Sequence, residues 1–183
     1  MIKFNWDKYT GLTDKDSQHG YGEAYDKHFY DIRHSVTSIL EVGQRVGSAK
    51  LWLEYFPNAK IYGMDKENFR LNGWSKEERN RFELHMVNVY KKESILRAMR
   101  RIGPVDIIVE DGPHTSPSQL ITLSALMPYL KPNGYFVIED LHTTCPNDDS
   151  HSTKKFQKDS EITIQDYFRD CKNKIYKQFR FNF

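Results

Sequence analysis

The sequence lacks the features that mark several large classes of protein. It has two cysteines, Cys145 and Cys171, with no CxxC pair and no histidine at zinc-finger spacing, so neither a disulfide framework nor a structural zinc site is indicated. Ten glycines and 7 prolines among 183 residues exclude a collagen-like chain. The 27 basic and 25 acidic residues leave a net charge of +2, and this balance predicts no nucleic-acid partner.

Long apolar runs are absent as well. No stretch approaches the ~18 consecutive apolar residues that span a bilayer, and the N-terminal MIKFNWDKYTG has no apolar centre of the signal-peptide type. We therefore expect a soluble, cytoplasmic protein with no membrane partner. The length fits a single domain of about 100–200 residues, which is large enough to bury a core.

Five apolar runs of strand length alternate with helical segments along the central part of the chain. We expect strands at residues 38–42, 60–64, 82–87, 105–109 and 135–138, and helices at 48–56, 75–81, 93–101 and 118–130. Strands that alternate with helices form a mainly parallel sheet that is covered on both faces. The sequence therefore predicts an α/β protein with a Rossmann-like, doubly wound sheet.

The segments on either side of this core have different patterns. Apolar residues at spacings of three and four predict an amphipathic helix over residues 21–33, which we expect to pack as a lid or flank. Residues 143–158 are polar and predict a long loop, and long loops in compact domains are often functional. A helix over 162–171 and a strand over 175–183 are expected to follow.

Two glycines lie where the first predicted strand turns into a helix. Gly43 and Gly47 follow Glu41, at a point where the backbone must turn sharply beside any ligand. Asp65 ends the second strand, 22 residues after Gly43, where an acidic side chain in an open α/β sheet can accept hydrogen bonds from a ribose. A cofactor that contains a nucleoside is favoured, and a tight turn without a ligand is the alternative.

Four carboxylates and two imidazoles follow the fourth and fifth strands. They are Glu110, Asp111 and His114 after strand four, and Glu139, Asp140 and His142 after strand five. Carboxylates held close together repel one another unless a cation neutralises them, and oxygen-rich sites suit Mg²⁺. We expect a divalent metal here. The alternative is that some of these carboxylates point elsewhere, one of them capping the following helix.

Several of these motifs together resemble class I S-adenosylmethionine-dependent methyltransferases. The resemblance is strongest to the magnesium-dependent sugar O-methyltransferases of macrolide biosynthesis and the related cephalosporin hydroxylase-like group, and it spans roughly residues 13–143. The motifs are Thr13-Asp14-Lys15, Glu41-Val42-Gly43, Phe56-Pro57-Asn58-Ala59, Asp65, Glu110-Asp111-Gly112-Pro113-His114, Leu130-Lys131-Pro132-Asn133-Gly134 and Glu139-Asp140-Leu141-His142-Thr143.

The resemblance implies a role for each candidate site residue. Glu41, Gly43 and Gly47 would line the methionine end of S-adenosylmethionine, with Asp65 at the ribose, Asn88 near the adenine and Asp111 also beside the cofactor. Asp111, Glu139 and Asp140 would bind Mg²⁺ or another divalent cation, with Glu110 as a further candidate. His142 would be the general base, with His114 as the alternative.

On this reading, residues 1–183 form one methyltransferase domain. Residues 1–36 are the N-terminal flank or lid, residues 37–142 the cofactor and metal core, and residues 143–183 the substrate loop with a C-terminal helix and strand. The chain departs from the family pattern in its glycine loop, which has fewer glycines, and in Val87-Asn88-Val89, which replaces a Gly-Asp-Gln sequence. The family's seventh, antiparallel strand would be missing, and a homo-oligomer could cover the open edge.

The expected activity is O-methylation of a small hydroxylated substrate such as a sugar, because a divalent metal can chelate two neighbouring hydroxyls and lower their pKa. A base would then remove the proton, and in-line positioning would supply further acceleration. Two alternatives stay open: an iron-dependent hydroxylase on the same fold, for which two histidines and one carboxylate are typical, and a binding module without turnover.

Overall fold

A five-stranded parallel sheet forms the centre of the computed structural model, which describes residues 4–15, 20–144 and 163–175, apart from the side chains of residues 142, 144 and 171–175. The strands are β1 (Ser38–Val42), β2 (Lys60–Asp65), β3 (Phe82–Met86), β4 (Val105–Glu110) and β5 (Leu130–Ile138). Their order is β3-β2-β1-β4-β5, and every neighbouring pair is parallel. The predicted Rossmann-like sheet is confirmed.

Helices cover both faces of this sheet. They are α1 (Tyr21–Phe29), α2 (Val46–Tyr55), α3 (Lys76–Arg81), α4 (Lys92–Ile102), α5 (Ser116–Leu126) and α6 (Ile164–Ile175). Successive residues of β1 point to opposite faces, as strand geometry requires. Ile39 joins an apolar cluster with residues of α1 and α2, whereas Leu40 joins a second cluster with residues of α4 and α5. The sheet is therefore doubly wound, as expected.

The N-terminal flank is built into the first of these clusters. Residues Trp6–Tyr9 form a short 3-10 helix, and α1 is shorter than the predicted span of residues 21–33. Tyr25 and Phe29 of α1 are buried, and the Tyr25 ring meets the Trp52 ring of α2 at 5.0 Å. The flank is thus packed against the core through aromatic contacts.

Three boundaries of α5 and β5 differ from the sequence prediction. The helix predicted at 118–130 begins at Ser116, because Thr115 caps it by accepting from the Ser118 N–H, and it ends at Leu126. Strand β5 begins at Leu130 rather than at residue 135, with Asn133 in the left-handed region and a register shift in its pairing with β4. The turn signal at 131–134 is therefore a kink within a strand.

The C-terminal prediction is corrected in part. Ile175, predicted to start a strand, is the last residue of helix α6. The rest of the predicted strand and most of the 143–158 loop lie outside the described residues. In the part of the chain that the structure describes, the outer edge of β5 pairs with no strand, and the expectation that a second copy covers it stays a prediction.

Every helix among the described residues is too short or too polar to cross a lipid bilayer.

Asp106 joins the start of β4 to the start of β1. Its Oδ2 accepts hydrogen bonds from the backbone N–H groups and hydroxyls of Thr37 and Ser38 at 2.7–3.0 Å, and its Oδ1 lies 2.9 Å from the Lys131 Nζ. Burial alone would raise the pKa of Asp106, but the bonds from Thr37 and Lys131 lower it to about 2. The ionised carboxylate therefore stabilises the fold.

Replacing Asp106 by Asn should lower the free energy of unfolding by roughly 1.5–3 kcal/mol at neutral pH, because charge-assisted hydrogen bonds are lost. A depressed pKa contributes stability that is present above the unfolded value of ~3.9 and disappears as pH falls toward 2. Urea titrations at pH 7 and pH 3 should therefore show a smaller difference from the wild type at the lower pH. Asp31→Asn, at an exposed turn, is the matched control, and an equal effect in both variants would contradict the assignment.

Candidate functional site

A cleft of about 590 Å³ opens at the carboxyl ends of the strands, where ligands bind in open α/β sheets. Five of the predicted site residues line it. They are Gly43, Asp65, Asn88, Asp111 and His114. Residues from four strand ends thus converge on one cavity, as expected because parallel strands end at the same edge of a sheet.

The two glycines of the first loop have different neighbours. Gly43 is in the left-handed region, with φ +83°, and a Cβ there would lie 1.8 Å from the carbonyl oxygen of Asp111. A Cβ on Gly47 would lie 1.7 Å from the carbonyl oxygen of Leu12. Both positions therefore need glycine because backbone approaches backbone. The neighbour of Gly47 is the N-terminal segment. The role of Gly47 at the cofactor stays a prediction.

Glu41 is fully buried beside the cleft rather than in its lining. Its Oε2 accepts hydrogen bonds from the Ser48 hydroxyl, at 2.7 Å, and from the Gln44 side-chain amide. Its Oε1 lies 2.9 Å from the Lys15 Nζ. The carboxylate is thus engaged by protein groups on both oxygens, and a direct contact with the methionine end of a cofactor stays a prediction.

Lys15 is the residue that sequence reasoning missed. Its side chain is 0% exposed, and its Nζ lies 2.8 Å from Asp111 Oδ2 and 2.8 Å from Glu139 Oε1, in addition to Glu41. The ammonium also lies 5.5 Å from the centre of the Trp52 ring, a distance typical of cation–π contacts. Lys15 belongs to the Thr13-Asp14-Lys15 motif, but lysines in polar N-terminal segments are usually solvated, so residue type alone did not single it out.

The three carboxylates around Lys15 keep it charged. Burial by itself would lower the pKa of Lys15, but the charges of Glu41 and Glu139 raise it well above the usual value. Burial raises the pKa of Asp111 to about 7 even though Lys15 acts to lower it. Burial likewise raises the pKa values of Glu41 and Glu139. One ammonium therefore offsets the effect of burial on these three carboxylates only in part.

Asp111, His114 and Asp140 form a second group that shares Asp111 with the first. His114 Nε2 lies 3.8 Å from Asp111 Oδ1 and 3.6 Å from Asp140 Oδ2. The three side chains offer ligand atoms that all lie within 4.8 Å of one another. Burial lowers the pKa of His114, against the raising effect of Asp140, so its imidazole is neutral at pH 7.

The backbone at this group is strained. His114 and Asp140 both have positive φ values, of 56° and 53°, in the left-handed region that costs a residue with a Cβ of order 1–3 kcal/mol. Such strain persists where the surroundings hold it, and the Thr143 hydroxyl donates to the backbone carbonyls of both residues, at 2.9 Å to His114 and 2.8 Å to Asp140. The two strand ends are thus tied to each other.

The remaining predicted carboxylates are placed differently. Glu139 is buried and lies against Lys15, and the Tyr25 hydroxyl donates to the same oxygen that Lys15 contacts. Burial raises the pKa of the fully buried Glu110 to about 8, with the Asp111 charge as the next cause. The role of Glu110 as a further metal ligand stays a prediction. The ligand role of Glu139 stays a prediction.

Asp65 and Asn88 lie at the ends of the neighbouring strands on the far side of the cleft. Asp65 is nearly buried at the end of β2, and its Oδ1 accepts the N–H of Glu67 at 2.7 Å. The Asn88 Oδ1 accepts the N–H of Tyr90 at 3.0 Å, which folds the loop after β3. Both residues line the cleft, and their roles at ribose and adenine stay predictions.

His142, the predicted base, lies in a 3-10 helix over Leu141–Thr144. Its side chain is outside the described part of the structure. The position of the side chain is therefore described only for the alternative base, His114, whose imidazole lies near both Asp111 and Asp140.

A second cavity, of about 570 Å³, adjoins the acidic strand end from the other side. It lies between α1 and β5, and aromatic side chains of Tyr21, Phe29 and Tyr135 line it together with Glu139 and Asp140. Asp111 lines the first cleft and Asp140 the second, while His114 Nε2 lies within 4 Å of an oxygen of each. The group of Asp111, His114 and Asp140 thus contributes residues to the linings of both cavities.

No family model matches the chain. Among curated proteins, it is 32% identical over 133 residues to mycinamicin VI 2''-O-methyltransferase of Micromonospora griseorubida, a match that covers 68% of the chain and 32% of that enzyme. It is 30% identical over 135 residues to demethylmacrocin O-methyltransferase of Streptomyces fradiae, covering 69% of the chain and 33% of the relative. The chain thus spans about a third of the length of the curated relatives it matches.

A solved structure agrees with these matches. The chain superposes on the MycE methyltransferase of mycinamycin biosynthesis, in complex with Mg, SAH and mycinamycin VI, with a TM-score of 0.75 and 26% identity. The match covers 93% of this chain and 46% of the other. The chain is therefore a relative of the macrolide sugar O-methyltransferases, and its fold is that of a class I methyltransferase of that group.

Proposed function

We propose that the protein is an S-adenosylmethionine-dependent O-methyltransferase that needs a divalent cation and acts on a small hydroxylated substrate such as a sugar. The observation that carries this proposal is the group of Asp111, His114 and Asp140, which lies at the boundary of a cofactor-sized cleft and an apolar cavity. The names of the relatives, all O-methyltransferases, support the same reaction.

The cleft fits the cofactor. Asp65 stands at the end of β2, where a carboxylate can accept hydrogen bonds from ribose hydroxyls, and Gly43 lets the first loop pass close to a ligand. S-adenosylmethionine supplies the methyl group when bound. Asp65, Asn88 and the loop at Gly43 would hold its nucleoside and direct its sulfonium end toward Asp111.

The acidic strand ends fit a hard divalent cation. Asp111 and Asp140 each offer an oxygen atom to the same space, within 4.8 Å of each other. Mg²⁺ prefers oxygen ligands, so Asp111 and Asp140 would hold it, with Glu139 as the predicted third carboxylate.

The residues of the chain have separate tasks in this reaction. The apolar cavity between α1 and β5 would receive the body of the acceptor, with its hydroxyls beside Asp140. A bound cation supplies a lower hydroxyl pKa and a fixed position. The neutral imidazole of His114 would accept the hydroxyl proton, and the cleft walls would align the acceptor oxygen with the methyl group.

Calorimetry with S-adenosylmethionine, with and without Mg²⁺, tests the proposal as a whole. We expect binding in both cases, followed by turnover only with the cation, using mycinamycin VI, the compound in the matched structure, as the first acceptor. Cofactor binding without methyl transfer to any hydroxylated acceptor would favour a binding module. Absence of cofactor binding would overturn the proposal.

Asp65→Ala should weaken S-adenosylmethionine binding by roughly 1.5–3 kcal/mol, because the ribose would lose charge-assisted hydrogen bonds. Isothermal titration of the purified variant measures this loss. Glu67→Ala is the control, since Glu67 follows the same strand but is exposed. Unchanged affinity in the Asp65 variant would remove the ribose assignment.

Chelator should abolish turnover and Mg²⁺ should restore it. Asp140→Asn should weaken Mg²⁺ binding by at least about tenfold, because one anionic oxygen of the group is lost while the shape is kept. The measurement is a calorimetric titration without substrate, and Glu77→Gln, an exposed carboxylate on α3, is the control. Full activity in excess chelator would mean that the acidic strand ends are structural.

His114→Ala should lower kcat by roughly 10²–10⁴-fold with nearly unchanged cofactor and cation affinities, as expected for loss of a general base. His142→Ala, measured in parallel with mycinamycin VI, tests the base that the sequence favoured. If only the His142 variant loses kcat, the roles are reversed. If cation affinity collapses with either change, that histidine is a ligand instead.

A further inference from the structure

The two aspartates of the candidate metal site are held in the same way. Asp111 places Oδ2 at 2.8 Å from the Lys15 Nζ and Oδ1 at 3.8 Å from His114 Nε2. Asp140 accepts a hydrogen bond from the Tyr21 hydroxyl on Oδ1 at 2.6 Å, and its Oδ2 lies 3.6 Å from His114 Nε2. In both carboxylates, one oxygen is bound by the N-terminal flank and the other is turned toward His114.

Lys15 is itself held rigidly. Its Nζ lies 2.8–2.9 Å from carboxylate oxygens of Glu41, Asp111 and Glu139, and it donates hydrogen bonds to the last two. The backbone just before it passes over Gly47 at a distance that excludes any side chain. Lys15 therefore cannot shift without breaking buried ion pairs, and it transmits this fixed position to Asp111.

We propose that Lys15 is a positioning residue of the candidate metal site, with Tyr21 as its counterpart on Asp140. By binding one oxygen of each aspartate, the two side chains leave the other oxygen aimed at the cation. This inference rests on the divalent site of the proposed function. Outer partners of metal ligands commonly contribute 10–100-fold in metal affinity through orientation alone.

The charge of Lys15 allows an effect on orientation to be distinguished from an effect of charge. An ammonium this close to the site also repels a cation, so a lysine that acted only through its charge would weaken metal binding, and its removal would tighten binding. If Lys15 acts by orienting Asp111, its removal should weaken metal binding. Tyr21 is neutral, so its hydroxyl can act only through orientation.

The test uses Mn²⁺ as a probe, followed by calorimetry and by its electron paramagnetic resonance signal, on the full chain without substrate. Lys15→Met and Tyr21→Phe should each weaken Mn²⁺ binding by roughly 10–100-fold. Lys50→Met is the matched control for the first, because Lys50 also lies over a tryptophan ring and pairs with a glutamate, but on the surface. Tyr62→Phe, on the sheet, is the control for the second.

The outcomes separate the two proposals. If the wild type binds no Mn²⁺, the divalent site of the proposed function fails, and this inference fails with it. If the wild type binds Mn²⁺ while Lys15→Met binds equally or more tightly, only the positioning role is overturned. If Lys15→Met does not fold, Tyr21→Phe decides: weaker Mn²⁺ binding at an unchanged melting temperature supports the inference, and unchanged binding overturns it.

Discussion

The contact of the Lys15 ammonium with three carboxylates, two of them buried, is the interaction on which the site depends. Isolated charges cost several kcal/mol each when they are buried, so the Lys15 ammonium stabilises the ionised forms of Glu41, Asp111 and Glu139. Glu41 lies in β1, Asp111 follows β4 and Glu139 follows β5. One ammonium therefore connects three strands at the edge of the sheet where ligands bind. Breaking such a cluster by removing one partner is strongly unfavourable, which explains why the flank is held so firmly.

This contact changes how the N-terminal flank should be understood. From its sequence, residues 1–36 were expected to form a lid or flank around a core that begins at residue 37. The described part of this flank also supplies Lys15 to the carboxylates, Tyr25 to Glu139 and Tyr21 to Asp140, and its aromatic residues belong to one of the two apolar clusters. The described flank is therefore part of the site, and a division of the chain at residue 37 would separate the carboxylates from their partners.

The sequence predicted the sheet because alternating strands and helices admit few arrangements, and it predicted the acidic strand ends because parallel strands finish at one edge. It could not assign individual carboxylates. Glu139 and Asp140 are neighbours, yet one lies against Lys15 and the other beside His114, since the left-handed backbone of Asp140 turns it aside. Lys15 was missed for a similar reason, because its burial arises from long-range packing that no local pattern records.

The same long-range packing accounts for the glycine loop. Its sparse glycines looked like a departure from the family pattern, but the two that remain stand where backbone meets backbone: Gly43 against Asp111, and Gly47 against Leu12. The intervening Gln44 is buried and donates to Glu41, so a side chain occupies space that further glycines would leave open. The loop thus contacts the N-terminal segment at Gly47 and the buried Glu41 at Gln44, and it lines the cleft at Gly43. These contacts account for glycine at positions 43 and 47 and for a larger side chain at position 44.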